Sequence, residues 1–255
     1  MNNRNTNGRI ALVTGANKGI GRATAELLAA QGTTVLIGAR DPERGEVTAA
    51  AIRESGGEAQ AVVLDVTDRA TIQAATEQLA QRFGHLDILV NNAGMTGYRQ
   101  VDPDKAYDQV PSTVDLDMVR AVFETNVFGV IAVTNAFLPL LRRSPAPRIV
   151  NVGSHAGSLT LIGDPEGPFS GLLPSAAYSP SKTALNALTV NYAKELCKDG
   201  ILVNAVAPGY VDTDSNNHTG FLTPAQGAAV LVRLATLGAD GPTGGFFAED
   251  GPLPW

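Results

Sequence analysis

Continuous runs of Val, Ile, Leu and Ala recur along the chain as short β-type segments: "RIALVTG", "TTVLIGAR", "QAVVLDV", "LDILVNNAG", "PRIVNVGS" and "ILVNAVAPG". They do not alternate apolar with polar, which is the pattern of parallel strands buried on both faces. Between them lie longer patterns of helical period. These run from about Gly19 to Gln31, over "PERGEVTAAAIRES" with Pro42 in its first turn, over "RATIQAATEQLAQRF", and from about Val114 to Arg143. Two more follow, over "SPSKTALNALTVNYAKELCK" and over roughly Pro224 to Leu237. Strand–helix alternation with right-handed crossovers makes a doubly wound α/β sheet with helices on both faces. With "GGFFA" as the seventh strand, the sheet is expected to be mostly parallel and seven-stranded. Ligands of such sheets bind beyond the carboxyl ends of the strands, where the strand order reverses. Every polar motif below follows a strand at that end, so one site in one domain, residues 1–255, is expected.

The length of 255 residues with 44% hydrophobic content is enough for one sizeable core. The formal net charge of -6 argues against nucleic acid or an anionic membrane as a partner. No run of about 18 apolar residues exists, and the polar start "MNNRNTNGR" lacks the apolar segment of a signal peptide. The single cysteine, Cys197, excludes an internal disulfide, is expected as a small core side chain, and fits a reducing cytoplasm. His85, His155 and His218 have no metal-ligand spacing, so no metal site is expected.

"TGANKGIG" joins the first strand to the first helix. Gly15, Gly19 and Gly21 let the backbone turn tightly and approach a pyrophosphate at the helix N-terminus, with Asn17, Lys18 and Ile20 completing the turn. The spacing is G-x-x-x-G-x-G and not G-x-G-x-x-G. Glycines alone would fit any tight strand–helix connection; the position between strand and amphipathic helix points to a nucleotide. At the end of the second strand an acidic residue would suit the ribose of NAD, and an arginine the 2′-phosphate of NADP. Here Arg40 stands in "GARD", and Lys18 adds a second positive charge nearby, so NADP(H) is expected over NAD(H). The plainer alternative is a surface pair of Arg40 with Asp41, unless Asp41 turns away to cap the next helix.

"YSPSK" sets Tyr178 and Lys182 four residues apart with Pro180 between them. On a helix that spacing is one face, yet a helix interior rejects proline. Either Ser179 is the N-cap and Pro180 the first helical residue, which leaves Tyr178 outside, or the helix starts earlier near Ser175 and loses one backbone bond at Pro180.

With these motifs in place the chain resembles a short-chain dehydrogenase/reductase. The resemblance runs in order through "TGANKGIG", "LDV" at Leu64–Val66, "NNAG" at Asn91–Gly94, "TNVFG" with Asn126, "NVGS" with Ser154, "YSPSK" and "PGYVDTD" from Pro208. "GARD" and the tail "PTGGFFAEDGPLPW" are similar to the NADPH-dependent carbonyl-reductase branch. The resemblance implies a Rossmann-type domain that reduces an aldehyde or ketone reversibly. It implies Tyr178 as proton donor, Lys182 as its partner that also holds the nicotinamide ribose, Ser154 orienting the substrate carbonyl, and Asn126 holding a proton-relay water. It further implies that Leu64, Asp65 and Val66 lie at the adenine, that Asn92, Ala93 and Gly94 line the cofactor cleft with Pro208 and Gly209, and that Val211 and Thr213 touch the nicotinamide amide. The chemistry agrees: a phenol of pKa about 10 is a poor catalyst near neutrality, and a nearby ammonium lowers that pKa. Taken singly, each residue has a plainer reading as a surface pair, a turn serine or a helix asparagine; taken together they point to catalysis. A ketoreductase specific for one large metabolite, or a catalytically silent NADP(H)-binding regulator, are the alternatives.

Two stretches depart from simple alternation: "MTGYRQVDPDKAYDQVPST", and "HAGSLTLIGDPEGPFSGLLPSAA" between Ser154 and Tyr178. The second is longer than the family usually carries and shorter than the long insertions of the carbonyl-reductase branch. There, the insertion covers a helix face used elsewhere for oligomerisation, so a monomer is expected over a homo-oligomer. The short "SNNHTGFL" after "PGYVDTD" suggests an open cleft that tolerates varied carbonyls. Tyr98, Tyr107 and Phe169 are candidate cleft residues, although a lone loop aromatic is more often packing.

Overall fold

Consecutive side chains of a strand point to opposite faces of its sheet, and here both faces are dry. In β1 (Ile10–Thr14), Ile10 and Leu12 enter one core while Ala11 and Val13 enter the other. The computed structural model describes residues 8–97 and 109–255. Its sheet has the order β3-β2-β1-β4-β5-β6-β7-β8. Strands β2 (Thr34–Ala39), β3 (Ala59–Val63), β4 (Ile88–Asn91), β5 (Arg148–Val152), β6 (Leu202–Val206) and β7 (Phe246–Ala248) pair in parallel around β1. The order reverses between β1 and β4, which places the switch point there.

Helices α1 (Gly19–Ala30), α2 (Pro42–Glu54) and α8 (Pro224–Ala235) cover one face through Leu28, Ile52 and Leu231. Helices α3 (Arg69–Arg82), α5 (Gly129–Leu141) and α7 (Tyr178–Leu196) cover the other through Leu79, Phe137 and Leu196. This is the expected doubly wound Rossmann-type domain. The strand count is corrected from seven to eight: β8 (Gly251–Pro252) returns antiparallel to β7. Two residues, one glycine and one proline, carry no strand signal; β8 exists because it pairs with β7. Cys197 is also corrected. It is exposed, because it follows the core residue Leu196, and a helical step of about 100° turns it outward.

The expected long helix around 114–143 is continuous but not uniform. Helix α4 (Leu116–Phe123) passes into a π-helical turn, Glu124–Phe128, and then into α5. Among the described residues this run alone has the length and mean hydropathy, 1.5, of a membrane-crossing helix, and half of its most apolar stretch is buried within the molecule. The 155–177 segment contains a 3-10 turn, His155–Gly157, and the short α6 (Leu159–Gly163).

Gly129 opens α5 where it crosses the segment that follows β3. A Cβ there would stand 2.9 Å from Val66 Cγ2 and 3.0 Å from the Val66 carbonyl. Gly129→Ala should therefore lower stability by about 1–3 kcal/mol through overpacking at the ligand end of the sheet. Urea denaturation measures it, and an unchanged midpoint would contradict this account of the contact.

Candidate active site

The glycine turn is braced from β4. Gly15 and Gly19 adopt left-handed φ values of 63° and 55°. A Cβ on Gly21 would stand 2.4 Å from Asn92 Nδ2 and 2.7 Å from the Gly15 carbonyl, which requires a glycine there. The Asn92 side chain donates to the carbonyls of Thr14 (2.8 Å) and Gly15 (3.2 Å), while the amides of Asn92 and Ala93 donate to Thr14 Oγ1 at 3.0 and 2.9 Å. Asn92 thus shapes the turn with its side chain, in partnership with Thr14, a residue that motif reading passes over. Thr48 of α2 is a second: its hydroxyl donates to the Asn17 carbonyl at 3.3 Å. Lys18 is the N-cap of α1, which has no side-chain cap and no acidic residue in its first turn. An uncapped helix N-terminus beside Asn17, Lys18, Gly19 and Ile20 fits an anionic pyrophosphate.

The second strand ends at an exposed Arg40. Asp41 is not its partner. The Asp41 carboxylate caps α2, accepting from the amides of Glu43 (3.0 Å) and Arg44 (3.2 Å), and pairs with the Arg44 guanidinium at 3.3 Å. Among the described residues Arg40 makes no ion pair. After β3, Leu64 is buried against Gly38, and one Asp65 oxygen accepts from the amide and hydroxyl of Thr67.

The catalytic candidates meet where α7 crosses the ends of β4 and β5. Lys182 is 5% exposed, and its Nζ donates to the Val152 carbonyl at 2.7 Å. That nitrogen lies 5.7 Å from the centre of the Tyr178 ring, and a Cβ on Gly94 would stand 3.5 Å from it. Asn126, fully buried in the π-helical turn, accepts from the Met95 amide at 2.9 Å, donates to the Met95 carbonyl at 2.9 Å and donates to Ser181 Oγ at 3.0 Å. Its side chain therefore fixes the segment after Gly94 and ties it to α7. Ser154 lies two residues beyond β5, caps the His155–Gly157 turn and accepts from the Ala156 amide at 3.2 Å. The turn it starts is fastened to α7 by Thr183 Oγ1 and Asn186 Nδ2, each donating to the Gly157 carbonyl at 3.1 Å.

Pro180 is accommodated without loss. Helix α7 starts at Tyr178, and Ser175 Oγ accepts from the amides of Ala177 (3.2 Å) and Tyr178 (3.0 Å). Pro180 is the third helical residue, within the first turn, where an amide would have no partner inside the helix. The earlier start is the observed one, and no backbone bond is lost at Pro180.

The segment after β6 lies over the glycine turn. Thr213 Cγ2 would be 3.4 Å from a Cβ on Gly19. Lys18, expected to place its charge beside Arg40, pairs instead with Asp214 at 2.7 Å. His218 bridges Asp212 (2.5 Å) and Asp214 (3.1 Å). The Lys18 hydrogen bond holds the Asp214 carboxyl below its ordinary range, and the Asp212 hydrogen bond raises the His218 imidazole. Gly209, at φ 85°, accommodates Leu222. Pro208 precedes it, and the Val211 side chain is buried against Gly227. The Val211 carbonyl accepts from Asn216 Nδ2 at 2.8 Å.

The 155–177 segment packs against the outer side of α7 and leaves an apolar groove of about 650 Å³ between Leu159, Ile162, Phe169, Leu173 and the helix residues Pro180 and Ala184. None of Tyr178, Lys182 and Ser154 lines it. Phe169 stacks on His155 with centroids 5.3 Å apart, so packing describes it. Tyr98 and Tyr107 lie outside the described residues.

Comparison with known proteins identifies the family and the fold. The family model described as short chain dehydrogenase matches residues 9–220. A short-chain dehydrogenase/reductase of Saponaria officinalis is 35% identical over 97% of this chain and 96% of its own length. The structure of salutaridine reductase from Papaver somniferum superposes with a TM-score of 0.79 at 32% identity, over 94% of this chain and 99% of that one. That of NADPH-bound carbonyl reductase from chicken fatty liver superposes at 0.81 with 27% identity, over 97% and 99%.

Burial pushes the Lys182 ammonium down to about 8 from its ordinary 10.5. The unfolded chain then holds a proton that the folded chain has released between pH 8 and 10.5, so this group makes stability rise with pH across that window. Below it both states are protonated and the burial cost is present in full. Thermal midpoints of cofactor-free wild type are expected to gain on those of Lys182→Met as pH rises through the window. Parallel curves would mean that Lys182 is not a buried cation.

Proposed function

The chain belongs to the short chain dehydrogenase family, and from that premise we propose that it is an NADPH-dependent reductase of aldehydes and ketones, with Tyr178 as the proton donor. The observation that carries this reading is the buried Lys182 ammonium, set between the Gly94 backbone and the Tyr178 ring at the switch point of the sheet. A bound nicotinamide supplies the hydride. Everything else falls to the chain's own residues. Tyr178 and Ser154 direct hydroxyl donors at a carbonyl oxygen, where negative charge grows as reduction proceeds. The Lys182 charge favours the phenolate left behind when Tyr178 gives up its proton. Asn126, held on Met95, keeps the Gly94 segment in register with that pair.

The preference for NADP(H) rests on Arg40. Its guanidinium is exposed at the end of β2, and the neighbouring carboxylate is occupied as a helix cap. Gly15, Asn17, Lys18, Gly19, Ile20 and Gly21 would hold the phosphates. Leu64, Asp65 and Val66 would flank the adenine, and Asn92, Ala93, Gly94, Pro208, Gly209, Val211 and Thr213 would line the remaining cleft. Asp214 competes with a 2′-phosphate for Lys18. We read the chain as a monomer, because the 155–177 segment lies along the outer face of α7.

Tyr178→Phe should lower kcat by about 100-fold or more while NADPH binding persists. Wild-type turnover in that variant would remove the assigned mechanism. Arg40→Glu should cut kcat/KM with NADPH by about 10–100-fold and spare NADH. Asp214→Asn should do the reverse, lowering the KM for NADPH alone. NADPH consumption across a panel of small and bulky aldehydes and ketones measures all three, and equal use of NADH and NADPH by wild type would reject the cofactor assignment.

A further inference from the structure

Gln109 is only 1% exposed, and its side-chain polar atoms reach two parts of the site at once. Its Oε1 accepts from the Ser175 hydroxyl at 2.6 Å and from the Tyr178 amide at 3.3 Å, across 69 residues of sequence. Its Nε2 donates to the Thr96 carbonyl at 2.6 Å, and its own carbonyl accepts from the Ala176 amide at 2.9 Å. Thr96 closes the segment that contains Asn92, Ala93 and Gly94, and Tyr178 opens α7. Because Ala177 provides no side-chain cap, the first amide of α7 depends on Ser175 and Gln109 for an acceptor. Ser175 is itself oriented by Gln109.

We infer that Gln109 is a positioning residue for Tyr178: it fastens the first turn of the catalytic helix to the cleft segment after β4, and so sets how far the phenol stands from the Lys182 ammonium. The inference rests on Tyr178 being the proton donor. It follows from distance: the field of a nearby cation on a phenol weakens as the two separate. With Gln109 gone, the Tyr178 amide and the Thr96 carbonyl lose an internal partner, the turn frays, and the phenol becomes less acidic.

The test needs no substrate. The chain has five tyrosines, so the tyrosinate absorbance of wild type minus that of Tyr178→Phe isolates the titration of Tyr178. The same difference is taken in a Gln109→Leu background, with NADP+ present throughout. Gln109→Leu should move the Tyr178 midpoint up by about 0.5 pH or more. Ser175→Ala, which keeps the bond from Gln109 to Thr96, should move it in the same direction by less, and it serves if Gln109→Leu does not fold. Unmoved midpoints in both variants, with only a lower thermal midpoint, would make Gln109 purely structural and overturn the inference. Failure of the functional reading looks different: Tyr178→Phe would then reduce carbonyls as fast as wild type, whatever the Gln109 variants do.

Discussion

The Lys182 ammonium is carried by α7 almost wholly out of water and set against the Val152 carbonyl at the end of β5. A charge in that place is costly and is tolerated only where the surrounding backbone is tightly specified. Much of the molecule's ligand end can be understood as that specification. The Ser154–Gly157 turn is pressed onto Lys182 so closely that a Cβ on Gly157 would stand 2.9 Å from the lysine's own Cβ. Asn126 comes from the other side and joins Met95 to Ser181. A π-helical turn, rare and concentrated at functional sites, places Asn126 there.

Several residues read from sequence as ligand contacts also brace the structure. Asn92 shapes the glycine turn by filling the space that Gly21 leaves, and Val211 is buried beneath α8. Lys18 spans the cleft to Asp214. These are compatible with a cofactor site, since a ligand that contacts backbone amides depends on side chains that hold the backbone still. The pair Gln109 and Ser175 extends the same logic to the helix that carries Tyr178.

The doubly wound sheet was legible because its strands are continuous apolar runs, and a chain of alternating runs and helical patterns has few other ways to bury them. The last strand was not: Gly251–Pro252 has neither the length nor the residues of a strand and is defined by its partner. Cys197 is exposed because its helical phase, one step past the buried Leu196, turns it outward, and residue type alone does not carry that phase. At Pro180 local rules allow two helix starts, and Ser175 accepting the Tyr178 amide decides between them.

By itself, then, the sequence determined the strand–helix alternation, the position of every motif at the carboxyl ends of the strands, and the four-residue spacing of Tyr178 and Lys182. All of these depend on local periodicity and spacing, which are properties of order along the chain. Only the tertiary structure decided that Gln109 meets Tyr178, that Lys18 meets Asp214 across 196 residues, and that Lys182 has a backbone carbonyl for its hydrogen-bond partner. Those contacts join segments whose separation in sequence carries no signal, and they become defined when buried polar groups must find acceptors in the folded core.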